Sequence, residues 1–511
     1  MTDDTRKSPQ LQAGEPCGTN GDVNTSAAQP DGVLSACENV LFENAVAANT
    51  AAAITNEVAD TTAKGAAADV AATAMPFETP LSQVVTAALS EYPTYYVGGC
   101  VRDVIMGKAQ SPDIDMTTAA PPEVAMKLLA ALGAKELAGG LGAMRIEDGQ
   151  CKIELTSMRI EGPYADRRHP DWVEFVPDIK ADAKRRDFTL GAVYWNQGCG
   201  FVDPVGGISD IKNRVLRTVG AAEVRFDEDP LRMLRGLRFA ACFGFTVEQS
   251  ATKALVKMAP LLGFVSGERA SPELFAMLTG DNIEQILMDY GDVLSALIPE
   301  IRPALKCPQK SRFHSYGVWQ HTVKAVAAAP KDELVRLTLL LHDLGKPPCR
   351  RRDAQGTDHF KGHMQEGAEI ARRTAARLAL PKSVASELET LVLLHDDRIR
   401  RRIIDVARLL YKLGEGETRR LIEVRAADNA AKAQDVREPA RRFEMHKIVD
   451  EVLQSGLPLS LKELAVSGRD IPDEGPRVGE ALDELLEAVW SGELPNERTA
   501  LIGHLKTMYD Y

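Results

Sequence analysis

The hydrophobic rhythm of this chain changes several times along its length. Residues 1–75 are rich in Ala, Thr, Asn, Asp and Gly, hold almost no aromatics and keep no sustained period. They predict a disordered, low-complexity tail. Tyr95-Tyr96-Val97 then reads as a short buried strand, stopped by Gly98-Gly99, and Val101 to Met106 reads as a helix behind that turn. Pro121 to Leu132 predicts a helix that opens on Pro-Pro and closes at Gly133. Cys151 to Thr156 alternates apolar and polar residues as a strand does. From Leu231 the period is helical, with Leu231, Leu234 and Leu237 on one face and Arg232, Arg235 and Arg238 on another. Leu255 to Leu305 is helical in pattern throughout, Leu337 to Leu341 is an apolar helix ending in His342-Asp343, and residues 431–511 alternate basic and amphipathic helical stretches.

Composition changes this picture in three places. At 511 residues the chain has room for roughly three or four domains, and its 44% hydrophobic and 26% charged residues are ordinary for globular proteins. It has no run of 18 apolar residues and no charged-then-apolar leader, so no membrane span is expected and the cytoplasm is the expected location. Eight cysteines without a C-x-x-C pair predict reduced structural thiols. The net charge of −12 is uneven: residues 1–75 hold ten acids and three bases, contributing −7 and leaving −5 for the rest. Basic clusters stand at Lys184-Arg185-Arg186, Arg350 to Arg352, Arg398 to Arg402 and Arg441-Arg442. Such tracks on an acidic protein still hold RNA with salt-dependent affinity, although any one cluster also reads as a solvated helix face.

Chemistry concentrates in a few stretches. Gly98 and Gly99 precede a helix whose free N–H groups face the turn, an arrangement that seats phosphate. Asp113 and Asp115, two apart on a strand, project from one face as hard oxygen ligands suited to Mg²⁺ carrying a nucleotide triphosphate. Each half alone is a common turn or a solvated strand edge.

Together and in this order, Tyr95 to Asp103 and Asp113 to Asp115 resemble the head of the nucleotidyltransferase superfamily related to DNA polymerase β, in the branch of tRNA CCA-adding enzymes and bacterial poly(A) polymerases. The resemblance, to the bacterial-type (class II) CCA tRNA nucleotidyltransferases, implies an α+β chain: a head with mixed sheet and helices over 76–217, then an all-α neck over 218–310, an HD body over 311–430 and a helical tRNA-binding tail over 431–511. It makes Asp113 and Asp115 the ligands of two Mg²⁺ ions and Glu154 the candidate third acid, an edge-strand glutamate being the other reading. Arg185-Arg186-Asp187-Phe188 is similar to the family's Arg-Arg-Asp-Phe element. Gly98, Gly99, Arg102, Arg185 and Arg186 then seat the triphosphate. Similar enzymes continue Thr-x-Asn-Ala, whereas this chain has Thr189-Leu190-Gly191-Ala192 and lacks that asparagine's contact. Asp203 to Gly207 with Asp210 reads as a structural turn ending the head.

In Glu228-Asp229-Pro230-Leu231-Arg232 the resemblance makes Asp229 and Arg232 a protein template for a base. Cytosine and adenine both offer an amino donor beside a ring-nitrogen acceptor; guanine and uracil offer the reverse. A carboxylate beside a guanidinium therefore accepts C and A and leaves unpaired groups against G and U. Arg235 and Arg238 would reach triphosphate or primer phosphate. Ser266 to Arg269 with Glu273-Leu274 resembles a structural neck helix.

His321, His342-Asp343 and Asp428 resemble the ligand set of the HD phosphohydrolase domain, which holds a divalent metal; its identity is open. His363 and His395 are candidates for phosphate or a second metal. A His-Asp pair on an apolar helix is otherwise a satisfied buried pair. The expectation is addition of CMP, CMP and AMP from CTP and ATP to the tRNA 3′ end, with the body holding the tRNA acceptor–T arm by A-form shape and phosphates. The alternatives are a poly(A) polymerase, an HD phosphohydrolase with a decayed head, and a non-catalytic RNA-binding factor.

Overall fold

The computed structural model describes residues 75–109, 112–137, 139, 141–311, 315–434 and 437–509. The predicted disordered tail lies outside these residues, apart from its last one, Met75.

The head is a seven-stranded mixed sheet. Its strands are β1 Thr94–Val97, β2 Asp113–Thr118, β3 Lys135–Glu136, β4 Ala143–Glu147 and β5 Lys152–Ser157. After the hairpin of β6 Arg159–Glu161 and β7 Val173–Phe175 come β8 Tyr194–Asn196 and β9 Gly200–Val202, giving the order β3-β4-β5-β2-β1-β8-β9. β2 runs antiparallel to β1 and parallel to β5, and that register sets Asp113 beside Lys152 and Asp115 beside Glu154. Ile114, Met116, Ile153 and Leu155 fill the other face and are fully buried. The period-two pattern thus puts carboxylates on one side of the sheet and its core on the other. Five helices accompany it: α1 Pro80–Ala88, α2 Gly99–Ile105, α3 Pro122–Leu129, α4 Ile179–Lys184 and α5 Gly207–Asn213. Gly133, left-handed at φ +72, ends the turn after α3, as its position predicts.

The neck follows as α6 Ala222–Glu228, α7 Leu231–Phe243, α8 Gln249–Met258, α9 Gly267–Leu278, α10 Ile283–Leu294 and α11 Ile301–Ala304. Asp229 is extended, and its Oδ1 accepts from the Leu231 N–H at 3.1 Å just ahead of α7, whose N-cap is Pro230. The three arginines of α7 do not form a solvent face. Arg232 is buried and Arg235 and Arg238 are half-buried, because head and neck elements cover that side.

The body comprises α12 Val318–Ala328, α13 Glu333–Leu341, α14 Lys346–Cys349, α15 His363–Arg377, α16 Lys382–Leu394 and α17 Ile403–Ala430, the last broken at Gly414. Three helices close the chain: α18 Arg441–Gln454, α19 Pro476–Ser491 and α20 Arg498–Met508. One continuous set of buried apolar residues runs from Phe77 to Leu505, so Ala74–Tyr511 packs as a single unit. Six cysteines among the described residues are free thiols. Among the described residues no helix is long and apolar enough to cross a membrane.

Arg336 of α13 locks neck to body. It is buried, and its guanidinium donates to the carbonyls of Leu278 at 2.6 Å and Gly280 at 3.1 Å in the neck, and of Ala329 and Pro330 at 2.9 and 3.0 Å. Four carbonyls where helices meet depend on one side chain. Arg336→Met should lower unfolding free energy by about 3 kcal/mol, since it orphans those acceptors. A urea titration showing a loss under about 1 kcal/mol would refute this accounting.

Candidate functional site

Two separate groups of polar residues stand out. The first is built where the head sheet meets α7. Gly98 turns the chain at φ +72 from β1 into α2, and a Cβ there would lie 2.7 Å from an Asp115 carboxylate oxygen. The Gly99 N–H donates to that same carboxylate at 3.4 Å. The Asp115 carboxylate reaches solvent, yet the protein around it desolvates it and raises its pKa, while the Gly99 N–H, Arg186 and Arg102 partly counter this. Asp113 is exposed and forms an ion pair with Lys152 at 3.7 Å. Glu154 sits in register with Asp115 and is held by Lys152 at 3.0 Å and Arg145 at 3.1 Å. Burial opposes ionisation of Glu154, but those two bonds outweigh it and its pKa is lowered. Three carboxylates on one sheet face, one of them desolvated, fit a hard divalent cation with oxygen ligands.

Around this face the cations are anchored. Arg102 pairs with Asp103 at 2.8 Å and lies over the Phe243 ring at 4.2 Å. Arg186 donates to the fully buried Asp182 at 3.0 Å, to the Tyr194 hydroxyl at 3.0 Å and to the Gly191 carbonyl at 3.2 Å. Arg185 turns instead to Asp182 at 2.7 Å and Glu161 at 3.7 Å, in a network with Arg159. Gly191, where similar enzymes carry asparagine, has only ordinary contact distance beyond it: an added Cβ would meet Asp187 at 3.7 Å. Asp203, read as a turn ending the head, caps the start of α5 by accepting from the N–H groups of Gly207 and Ile208.

Asp187 carries the connection onward. It accepts from Arg235 at 2.7 Å, binding the head loop to α7. Gly236, next on that helix, allows the Phe188 ring within 3.0 Å of where a Cβ would stand. Asp229 accepts from Arg269 at 2.7 Å. Arg232 donates to Glu228 and to the Arg225 carbonyl, and its guanidinium lies 5.7 Å from the Tyr164 ring centroid. Arg238 pairs with Glu273 at 2.6 Å, and Arg235 reaches the same carboxylate at 3.7 Å. The Asp229/Arg232 pair is therefore oriented by Arg269 and Glu228. Sequence reading passed over these partners: Arg269 had been assigned to a structural neck helix, and its 40-residue distance from Asp229 hides the contact.

The second group lies in the body. His321 approaches Asp428 at 2.9 Å and Asp343 at 3.5 Å, and His342 approaches Asp343 at 3.3 Å. His363 and His395 stand 3.9 and 3.8 Å from the other Asp343 oxygen. Asp343 thus lies between two ligand sets, His321/His342 and His363/His395. Three of these imidazoles turn Nδ1 to a main-chain carbonyl within their own turn: His342 to Leu339, His363 to Phe360 and His395 to Val392. This presents Nε2 inward, as metal-binding histidines require. Asp343 Oδ1 and His342 Nε2 are buried with no hydrogen-bond partner, and such orphaned atoms fit a cation between them. Lys346 holds Asp343 at 2.7 Å and Lys432 holds Asp428 at 2.7 Å. Burial pushes the His395 pKa down to about 3, which keeps that ring neutral and able to ligate. Mixed nitrogen and oxygen donors suit a divalent transition metal.

The Poly A polymerase head domain family matches residues 94–217, the family described as the probable RNA and SrmB-binding site of polymerase A matches 244–305, and the HD domain family matches 313–433. The chain is 30% identical over 440 residues to a CCA-adding enzyme of Geobacillus kaustophilus, covering 84% of this chain and 96% of that one. It is also 30% identical over 439 residues to an A-adding tRNA nucleotidyltransferase of Deinococcus radiodurans, covering 80% and 94%. Among solved structures, the CCA-adding enzyme of Bacillus stearothermophilus in complex with CTP superposes with a TM-score of 0.67 at 26% identity, covering 86% of this chain and 98% of that one.

The glycine turn can be probed directly. Gly98→Ala places a β-carbon on a left-handed residue and against Asp115. It should cost about 1–2 kcal/mol of stability from the backbone alone, measured by denaturant unfolding. An unchanged midpoint would show that the turn relaxes freely.

Proposed function

This chain belongs to the family of CCA-adding tRNA nucleotidyltransferases, and we propose from that premise how its residues divide the work. The enzyme adds CMP, CMP and AMP from CTP and ATP to the tRNA 3′ end without a nucleic-acid template. The observation that supports this assignment of roles is the Asp187–Arg235 bond, which ties the arginine loop of the head to the helix that carries Arg232.

Asp113 and Asp115 would hold Mg²⁺, with Glu154 as third acid beside Asp115. Held by these carboxylates, Mg²⁺ would supply Lewis-acid chemistry, acidifying the attacking 3′-hydroxyl and offsetting the charge that develops on the α-phosphate. Gly98 and Gly99 offer their backbone, and Arg102 and Arg186 their guanidinium charge, to the triphosphate oxygens. Arg185, turned toward Asp182 and Glu161, supports Arg186 rather than touching nucleotide. Asp229 accepts the exocyclic amino hydrogen of cytosine or adenine, and Arg232 donates to the adjacent ring nitrogen. Arg269 and Glu228 hold this acceptor–donor pair in position. Arg235 and Arg238 complete the cationic wall on the phosphate side. Pyrophosphate leaves as the hydroxyl oxygen bonds to the α-phosphorus.

In the body, His321, His342, Asp343 and Asp428, with His363 and His395 across Asp343, would hold divalent metal. The basic stretches of the body and tail bind tRNA through its phosphates. Working on tRNA, the enzyme would act in the cytoplasm.

The deciding experiment incubates protein and Mg²⁺ with tRNA lacking its 3′ end, giving each NTP singly and then CTP with ATP. Three defined additions with GTP and UTP refused are expected. A single A added only to tRNA already ending in CC would place the chain with A-adding relatives. A long A tail would make it a poly(A) polymerase.

Asp115→Asn should lower the rate about 10²-fold or more, with tRNA binding retained. Asp229→Ala or Arg232→Ala should relax discrimination against UTP and GTP by about tenfold or more each. Selectivity unchanged in both variants would remove the template role from this pair.

A further inference from the structure

The sheet face that carries the head carboxylates also carries two cations, and register sets where they stand. β4, β5 and β2 lie side by side. Glu147, Lys152 and Asp113 therefore form one row across the face, and Arg145, Glu154 and Asp115 form the next. The period of two that puts Asp113 and Asp115 on one face does the same for Lys152 and Glu154. Lys152 Nζ stands 3.0 Å from a Glu154 oxygen and 3.7 Å from an Asp113 oxygen. One ammonium group thus spans two of the three acids. Arg145 reaches Glu154 at 3.1 Å, and β5 separates it from β2.

The main chain under this bridge is fixed, because the Lys152 N–H donates to the Pro112 carbonyl at 3.0 Å, just ahead of Asp113. The ammonium group sits at the end of a flexible four-carbon stem. Lys152 keeps 34% of its side-chain surface exposed and Asp113 keeps 64%. Ion pairs that water reaches in this way are weak and exchange partners. The amine can leave Asp113 while the strand register stays.

We infer that Lys152 is an exchangeable counter-ion of the sheet carboxylates: it spans Asp113 and Glu154 until a divalent cation displaces it. A hard cation and an ammonium group compete for the same carboxylate oxygens, since each neutralises the same charge. Lys152 acts through those acids, as a positioning residue, and keeps their affinity for a lone divalent cation low. The cation is then held firmly only with the further oxygens of a triphosphate, so metal and nucleotide enter together. The inference rests on the reading of Asp113, Asp115 and Glu154 as Mg²⁺ ligands.

The test titrates full-length protein with Mn²⁺ alone and reads free Mn²⁺ by electron paramagnetic resonance. Asp113→Asn, placed in wild type and in Lys152→Met, marks the head's sites as those it abolishes, apart from any in the body. At those sites Lys152→Met should bind Mn²⁺ about fivefold or more tightly than wild type, the effect of a unit charge about 4 Å away in water. Lys152→Arg, which keeps the charge, should stay near wild type. Arg145→Met, which leaves the bridge to Asp113 in place, should gain less than Lys152→Met. Lys152→Gln serves if Lys152→Met does not fold. Unchanged or weaker Mn²⁺ binding by Lys152→Met, at sites still lost in Asp113→Asn, would overturn the counter-ion role, and so would an equal gain in Arg145→Met. If Asp113→Asn abolishes no site in either background, the metal reading fails and the inference with it.

Discussion

The bond between Asp187 and Arg235 is the contact on which the first site depends. Asp187 follows Arg186 on the loop after α4, and Arg235 lies one helical turn beyond Arg232 on α7. A 2.7 Å charge-assisted bond between them fixes the sheet of the head against the helix of the neck. Asp187 is largely shielded from water and Arg235 is half-buried, and the Arg235 charge helps hold Asp187 ionised against the cost of its burial. Losing Arg235 would leave the mostly buried Asp187 carboxylate without its nearest counter-charge. The pair ties the loop that carries Arg186 to the helix that carries Arg232.

The same logic repeats outward. Asp182 is fully buried and satisfied by Arg185, Arg186 and Tyr194 together, so the arginine loop is anchored from within the head. Asp229 and Arg232 are each held by a partner of opposite charge, Arg269 and Glu228. A template made of protein must be stiff to discriminate, because a side chain free to rotate would follow the wrong base as readily as the right one. The body solves a different problem. There Asp343 sits between four imidazoles, three of them oriented by main-chain carbonyls of their own helical turns, and Lys346 pairs with it, so helix ends and an ion pair together set its geometry.

Much of both sites was legible from residue patterns, and the exceptions have physical causes. The strand–Gly-Gly–helix turn and the shared face of Asp113 and Asp115 follow from local periodicity, and the structure has both. The burial of the α7 arginines was not legible, because helical spacing shows which residues share a side but not what covers that side. Arg185 and Arg186, adjacent in sequence, diverge because Asp182 splits them toward different partners, Glu161 and Tyr194. Arg269 and Glu273 stand in a stretch similar to a structural neck helix and Tyr164 in no motif, and none of the three shows its partner locally, since their contacts reach across 35 to 68 positions of the chain.

The α+β class followed from the family resemblance of the motifs; by itself the sequence determined the elements, the order of the motifs and the residue types able to bind metal and phosphate. These depend on short-range sterics, on side-chain period and on chemistry carried by each residue. Only the tertiary structure decided which arginines face the site, which acids orient them, and that Asp343 stands between two histidine pairs. Those outcomes arise from burial: once a charge leaves water it must find its counter-charge, and that partner is set by the packing of distant elements and not by distance along the chain.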